Sequence, residues 1–225
     1  LNMKDKKDNN YKYTQPWFDN IKNSWDEIFK WYIIEGKNEI KSVLEIGCFE
    51  GKASIYMCEK WLKDKTHYHV IDTFGGSSDE IGHQDMIKQI KEGDDFIYNN
   101  FKHNTNFFPN IDWKIERETS QHMLPLLERK GYKYDFIYVD ASHLADDTFV
   151  DAYWAHKMLQ PNGLIIFDDF GWQEEGRDKP NDSPKFGIQA FLTLYQDEYT
   201  MVANGYQIVL LKKPEKLIIK GTFNK

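Results

Sequence analysis

Two cysteines in 225 residues are too few for a disulfide framework, and Cys48 and Cys58 stand at no metal-ligand spacing. Both are expected to be buried, reduced thiols, as in a cytoplasmic protein. No apolar run approaches the roughly 20 residues needed to cross a bilayer, so no membrane partner is expected. The polar start Leu1-Asn2-Met3-Lys4-Asp5-Lys6-Lys7-Asp8 holds no apolar segment of a secretory leader. Its lysines alternate with acids, and residues 1–15 read as a solvated N-terminal tail. A basic stripe is also missing. The net charge is −7 and the isoelectric point near 5.5, which argues against a nucleic-acid partner and for a small molecule. No internal repeat divides the chain.

What is present suits one α/β domain over residues 16–213, followed by a short C-terminal tail, 214–225. The hydrophobic fraction of 40% and aromatic fraction of 16% can fill a core. A charged fraction of 29% and mean hydropathy of −0.69 imply heavily solvated helix faces. Trp17, Ile21, Trp25, Ile28, Phe29 and Tyr32 recur at helical spacing and predict helices over 16–34, with their aromatic stripe turned to a core or to a second subunit. Strands are expected at 43–46, 68–71, 112–116, 134–139 and 164–167, alternating with helices near 53–62, 96–107, 123–130, 145–159 and 188–196. Tyr199–Val202 and Gln207–Leu211 flank Asn204-Gly205, a hairpin signal. Alternating strands and helices before a terminal hairpin predict a mostly parallel sheet with one reversed edge strand and helices on both faces. The polar stretches 74–95 and 171–187 read as loops, and Trp172 and Arg177 in the second are candidates for substrate contact.

Three carboxylates end apolar strands: Asp140 after Tyr134–Val139, and Asp168-Asp169 after Leu164–Phe167. In an open α/β sheet ligands bind beyond the carboxyl ends of the strands. If these two strands are neighbours the acids meet, repel one another and favour a hard cation such as Mg²⁺. Adjacent strand residues point to opposite faces, so Asp168 and Asp169 share a cation only if the strand ends there. His143 lies three residues past Asp140, and a histidine, whose unperturbed pKa is near neutrality, suits a general base there. The first strand runs into Glu45-Ile46-Gly47-Cys48-Phe49-Glu50-Gly51, a glycine turn where a helix N-terminus offers N–H donors to a ligand. The dinucleotide fingerprint needs glycine where Glu45 stands, so a nicotinamide or flavin cofactor fits poorly.

The turn Glu45–Gly51 resembles motif I of the class I S-adenosylmethionine methyltransferases. Val43–Gly51, Ile137–His143 and Leu159–Asp169 together resemble methyltransferase family 24 and the related macrocin-type sugar O-methyltransferases, a likeness that spans most of residues 40–211. Ala141 and Asn162 stand where that family usually has glycine. The resemblance implies a Rossmann-like seven-stranded sheet and methyl transfer from S-adenosylmethionine to a hydroxyl of a sugar or other small molecule. It implies that Glu45, Gly47 and Gly51 hold the cofactor, with Asp72 on the ribose hydroxyls and Ser120 at the adenine. Ser120 is equally suited to cap a helix over 121–127. The same likeness makes Asp140, Asp168 and Asp169 ligands of Mg²⁺ or a similar divalent ion, with His143 and Asp140 at the reacting hydroxyl. Two other readings remain open: a metal-free methyltransferase acting on nitrogen or a carboxylate, and a cofactor-binding protein without turnover.

Overall fold

Short runs of β-branched and aromatic residues form the centre of the molecule, because each is apolar on both faces and needs cover on both. The computed structural model describes residues 10–76, 95–173 and 179–214, with positions 85 and 88 between them. Seven strands make one sheet: β1 Ser42–Ile46, β2 His67–Ile71, β3 Asp112–Glu116, β4 Tyr134–Val139, β5 Leu159–Phe167, β6 Tyr199–Asn204 and β7 Ile208–Lys212. Their order is β3-β2-β1-β4-β5-β7-β6, and only β7 runs against its neighbours. The expected reversed strand therefore lies one in from the edge, with β6 outside it.

Alternate side chains feed two cores. Val43, Phe136 and Leu164 pack on one side, beneath α1 Lys22–Phe29, α2 Lys52–Lys60 and α3 Phe96–Thr105. Leu44, Ile137 and Ile165 pack on the other, beneath α4 Ser120–Arg129, α5 Ala145–Met158 and α6 Pro184–Tyr195. The N-terminal aromatic stripe is core: Trp25 and Phe29 are fully buried, and Trp25 Nε1 donates to Gln207 Oε1 at 2.9 Å. Burying a side chain of this size is worth about 1.5–3 kcal/mol. The stripe begins in a 3₁₀ turn, Trp17–Asn20, and ends in a π-turn, Lys30–Glu35. Residues 10–15, read as part of the tail, are tied to the domain: the Lys12 amide donates to Asn104 and the Thr14 amide to Glu50.

Three boundaries differ from expectation. Helix α6 starts at Pro184 rather than 188, because Pro184 occupies its first turn, where the missing N–H costs nothing. Gly187, a residue that reads as loop, lies inside it; a Cβ there would sit 2.2 Å from the Ala145 carbonyl oxygen, so glycine permits the close packing of α6 on α5. Strand β5 begins at Leu159, since Pro161-Asn162-Gly163 form an irregular strand entry with Asn162 at φ 61°. Helix α4 starts at Ser120, so Thr119 takes the cap position and Ser120 the first turn. Most of 77–94 lies outside the described residues, as does 174–178, including Arg177.

Candidate active site

The strand order reverses between β1 and β4, and a crevice must open where their following segments diverge. A cavity of about 880 Å³ lies there, at the large end of the range for small-molecule sites. Glu45, Gly47, Asp72 and Ser120 line it, and so does an acidic end made of Asp140, His143, Asp168 and Asp169. Gly51 is the one site residue from the sequence that does not border it.

The glycine turn is shaped by close approach. Gly47 has φ +80°, and a Cβ there would lie 1.9 Å from the Asp140 carbonyl oxygen. Glycine thus lets the chain leaving β1 pass against the chain leaving β4. Gly51, at φ +78°, precedes α2, where a Cβ would meet the Phe101 ring at 2.7 Å. Asp72, at the end of β2, binds this turn: its Oδ2 accepts the amides of Cys48 (2.6 Å) and Phe49 (2.8 Å), and its Oδ1 that of Phe74 (2.6 Å). Glu45 is buried and accepts from Ser54 and Tyr68 through Oε2. Burial pushes its carboxyl up to about 7, against the pull of those two bonds. Its Oε1 has no protein partner.

At the acidic end the strand pair β4–β5 sets Val139 beside Phe167, so Asp140 and Asp168 leave the sheet side by side. Strand β5 ends at Phe167, and Asp169 has φ 57°, so the chain bends where Asp168 and Asp169 need it to. The Tyr138 hydroxyl lies between Asp140 Oδ2 (3.0 Å) and Asp168 Oδ2. Burial, then the charges of Asp168 and Asp169, hold the Asp140 carboxyl well above the usual carboxylate range. Burial and Asp169 push Asp168 up to about 7. Asp169 accepts from the Tyr206 hydroxyl at 2.7 Å and meets His143 Nε2 at 2.6 Å. The His143 ring stacks on Trp172, with centroids 4.4 Å apart. Its loop is tied down by Ser142, whose hydroxyl donates to Asp147 and accepts the Leu144 amide. Among the described residues no three His, Cys, Asp or Glu side chains are arranged as a cation's ligands. Tyr138 fills the point between two of the acids, and the third is turned to His143.

A family model described as a methyltransferase domain, methyltransferase family 24, matches residues 44–170, more than half of the chain. The chain belongs to this family. It is a class I methyltransferase that depends on S-adenosylmethionine. Among curated proteins no sequence matches. Solved structures show the methyltransferase fold at low identity. The O-methyltransferase TomG from Streptomyces achromogenes, involved in tomaymycin synthesis and in complex with SAM, superposes with a TM-score of 0.55 at 17% identity, over 84% of this chain and 80% of TomG. A putative O-methyltransferase from Klebsiella pneumoniae gives 0.53 at 16% identity, over 85% and 80%. The MycE methyltransferase of the mycinamycin pathway, in complex with Mg, SAH and mycinamycin VI, gives 0.52 at 15%, over 90% of this chain and 51% of MycE.

Several residues of the methyltransferase cavity were not legible beforehand. Gln121 borders it beside Ser120, and adjacency was the only signal. Tyr138 faces the site from inside β4, where alternation alone could have marked it. Tyr206 comes from the β6–β7 turn, and Trp17 from the N-terminal 3₁₀ turn. No described helix is long and apolar enough to cross a membrane.

Proposed function

We propose that this methyltransferase moves a methyl group from S-adenosylmethionine to a hydroxyl oxygen of a sugar or other small molecule, aided by a divalent cation such as Mg²⁺. The observation that carries the reading is the pairing of His143 with Asp169 in the cavity that the glycine turn also borders. The glycine turn, Asp72 and Ser120 would receive the cofactor, since all three border the cavity at the switch point of the sheet. S-Adenosylmethionine supplies an electrophilic methyl on a sulfonium. Asp140, Asp168 and Asp169 would hold the cation, since three neighbouring carboxyl groups that raise one another's pKa are hard oxygen donors whose repulsion a cation would relieve. Such a cation stabilises an alkoxide and fixes its oxygen.

The chain's own part is alignment and proton removal. The new carbon–oxygen bond forms as the carbon–sulfur bond breaks, and the hydroxyl proton must leave. The His143 imidazole takes it, and the Asp169 carboxylate stabilises the resulting imidazolium. Walls built from β-strand ends hold donor carbon and acceptor oxygen in line, where orientation supplies several kcal/mol. Eight carboxylates border the cavity, among them Glu118 and Asp147, and its lysine, Lys52, is paired with Asp19 at 2.6 Å. Such a lining suits a neutral polyhydroxyl acceptor better than a nucleic acid.

A second reading has one observation behind it. The Tyr138 hydroxyl already links Asp140 and Asp168, and this arrangement would serve a metal-free enzyme that holds its acceptor by hydrogen bonds. Titration calorimetry of S-adenosylmethionine into metal-stripped protein, repeated with Mg²⁺ and with Asp168→Ala, separates the two. Micromolar cofactor binding with Asp168-dependent Mg²⁺ binding is expected. Cofactor binding with no metal site would favour the metal-free enzyme.

A further inference from the structure

Beside the acidic end lies a second, much smaller space of about 10 Å³, bordered by Asp140, Asp168, Thr148 and Asp151. Asp151 belongs to α5, is 1% exposed, and no protein group hydrogen-bonds either of its carboxyl oxygens. A buried carboxyl with both oxygens unmatched is costly, and native structures almost always supply a partner. A polar space of this size is the minimum that holds one water, and a water needs two to four polar partners. Asp151, Asp140 and Asp168 all border the space, so polar partners are at hand.

We propose that Asp151 is a positioning residue, which through one buried water supports the Asp140 and Asp168 carboxylates from α5. Tyr138 braces these two acids from β4, and Asp151 supplies the brace from α5. Oxygens that hold a cation are oriented by hydrogen bonds to the rest of the carboxylate, and loss of such a partner typically weakens metal binding 10- to 100-fold. The water would hydrogen-bond the Asp151 carboxyl and the Asp140 or Asp168 carboxyl at once, and no group changes its covalent bonds in this support.

The effect on metal rests on the metal-assisted reading above; the water does not. The test compares Asp151→Asn and Asp151→Leu with the parent protein, by calorimetry of Mg²⁺ and of S-adenosylmethionine, by thermal melting, and by a high-resolution crystal structure. Asn keeps a donor and an acceptor at the same place and should bind Mg²⁺ within about threefold of the parent. Leu removes both and should weaken Mg²⁺ at least tenfold, with cofactor affinity held within about threefold. The crystal structure should show a water bonded to Asp151 and to Asp140 or Asp168. Leu binding Mg²⁺ like the parent would overturn the proposal. So would a parallel loss of metal, cofactor and melting temperature in both variants, which marks a folding role only. If the parent itself binds no Mg²⁺, the metal reading fails, and the crystal structure alone decides: a bridging water sustains the support, a dry space ends it.

Discussion

Replacing Gly47 by alanine tests how the cavity is made, and Gly131 provides a matched control. Both glycines have almost the same backbone, φ +80° and +79°. An L-residue in this region costs about 1–2 kcal/mol in either place. They differ in their surroundings. A Cβ at Gly131 meets nothing within 4 Å, whereas at Gly47 it would lie 1.9 Å from the Asp140 carbonyl oxygen and 2.7 Å from the Ala141 Cα. Those are backbone atoms and cannot rotate away, so the chain after β1 and the chain after β4 must part. Overpacking of this kind adds about 1–3 kcal/mol. Gly131→Ala should therefore lose about 1–2 kcal/mol in urea unfolding and bind S-adenosylmethionine normally. Gly47→Ala should lose about 2–5 kcal/mol and at least tenfold in cofactor affinity, because the turn that Asp72 holds moves with it. Equal losses in the two variants, or unchanged cofactor binding by Gly47→Ala, would refute the argument that close approach at the switch point shapes the site.

Asp72→Asn should weaken S-adenosylmethionine about tenfold and lower the melting temperature, since an amide turns an N–H₂ toward one of the three backbone donors now bound to the carboxylate. Calorimetry reads this directly, and an unchanged affinity would show that Asp72 does not hold the turn. Burial, with Lys212 and Lys157 adding, lowers His156 to about 4, while Tyr199 bonds its Nδ1. An unfolded histidine titrates near 6.5, so the unfolded state binds the extra proton first. The stability this histidine allows is complete above about pH 6.5 and is lost as pH falls toward 4. The advantage of the parent over His156→Gln should therefore shrink between pH 7.5 and 4.5, as measured by urea unfolding; a constant difference would contradict it.

Much of the fold was legible because its strands carry strong local signals. Val43-Leu44-Glu45-Ile46 and Phe136-Ile137-Tyr138-Val139 are buried on both faces, and their composition says so. The boundaries that shifted are those where a residue's local preference met a tertiary demand. Gly187 reads as loop until Ala145 of another helix is seen against it. Asn162 and Asp169 both adopt positive φ, which their types tolerate but do not announce. The lining of the candidate site was legible where chemistry sat at a strand end: Gly47, Asp72, Asp140 and Asp168 all border the cavity. Tyr206 and Trp17 were not, for a tyrosine in a hairpin turn and a tryptophan in an aromatic stripe carry no mark of what they face.

From the sequence alone come the alternation of strands and helices, the glycine turn after β1 and the acids that close β2, β4 and β5. These depend on side-chain period and on chemistry held within a few residues. Only the tertiary structure decided that β4 and β5 are neighbours, that the Tyr138 hydroxyl stands between Asp140 and Asp168, and that Tyr206 reaches Asp169 from 37 positions away. It alone set Asp151 beside the two acids with no protein group on its oxygens. Such contacts join residues far apart in the chain, where no periodicity links them, and packing of whole elements determines which side chains meet.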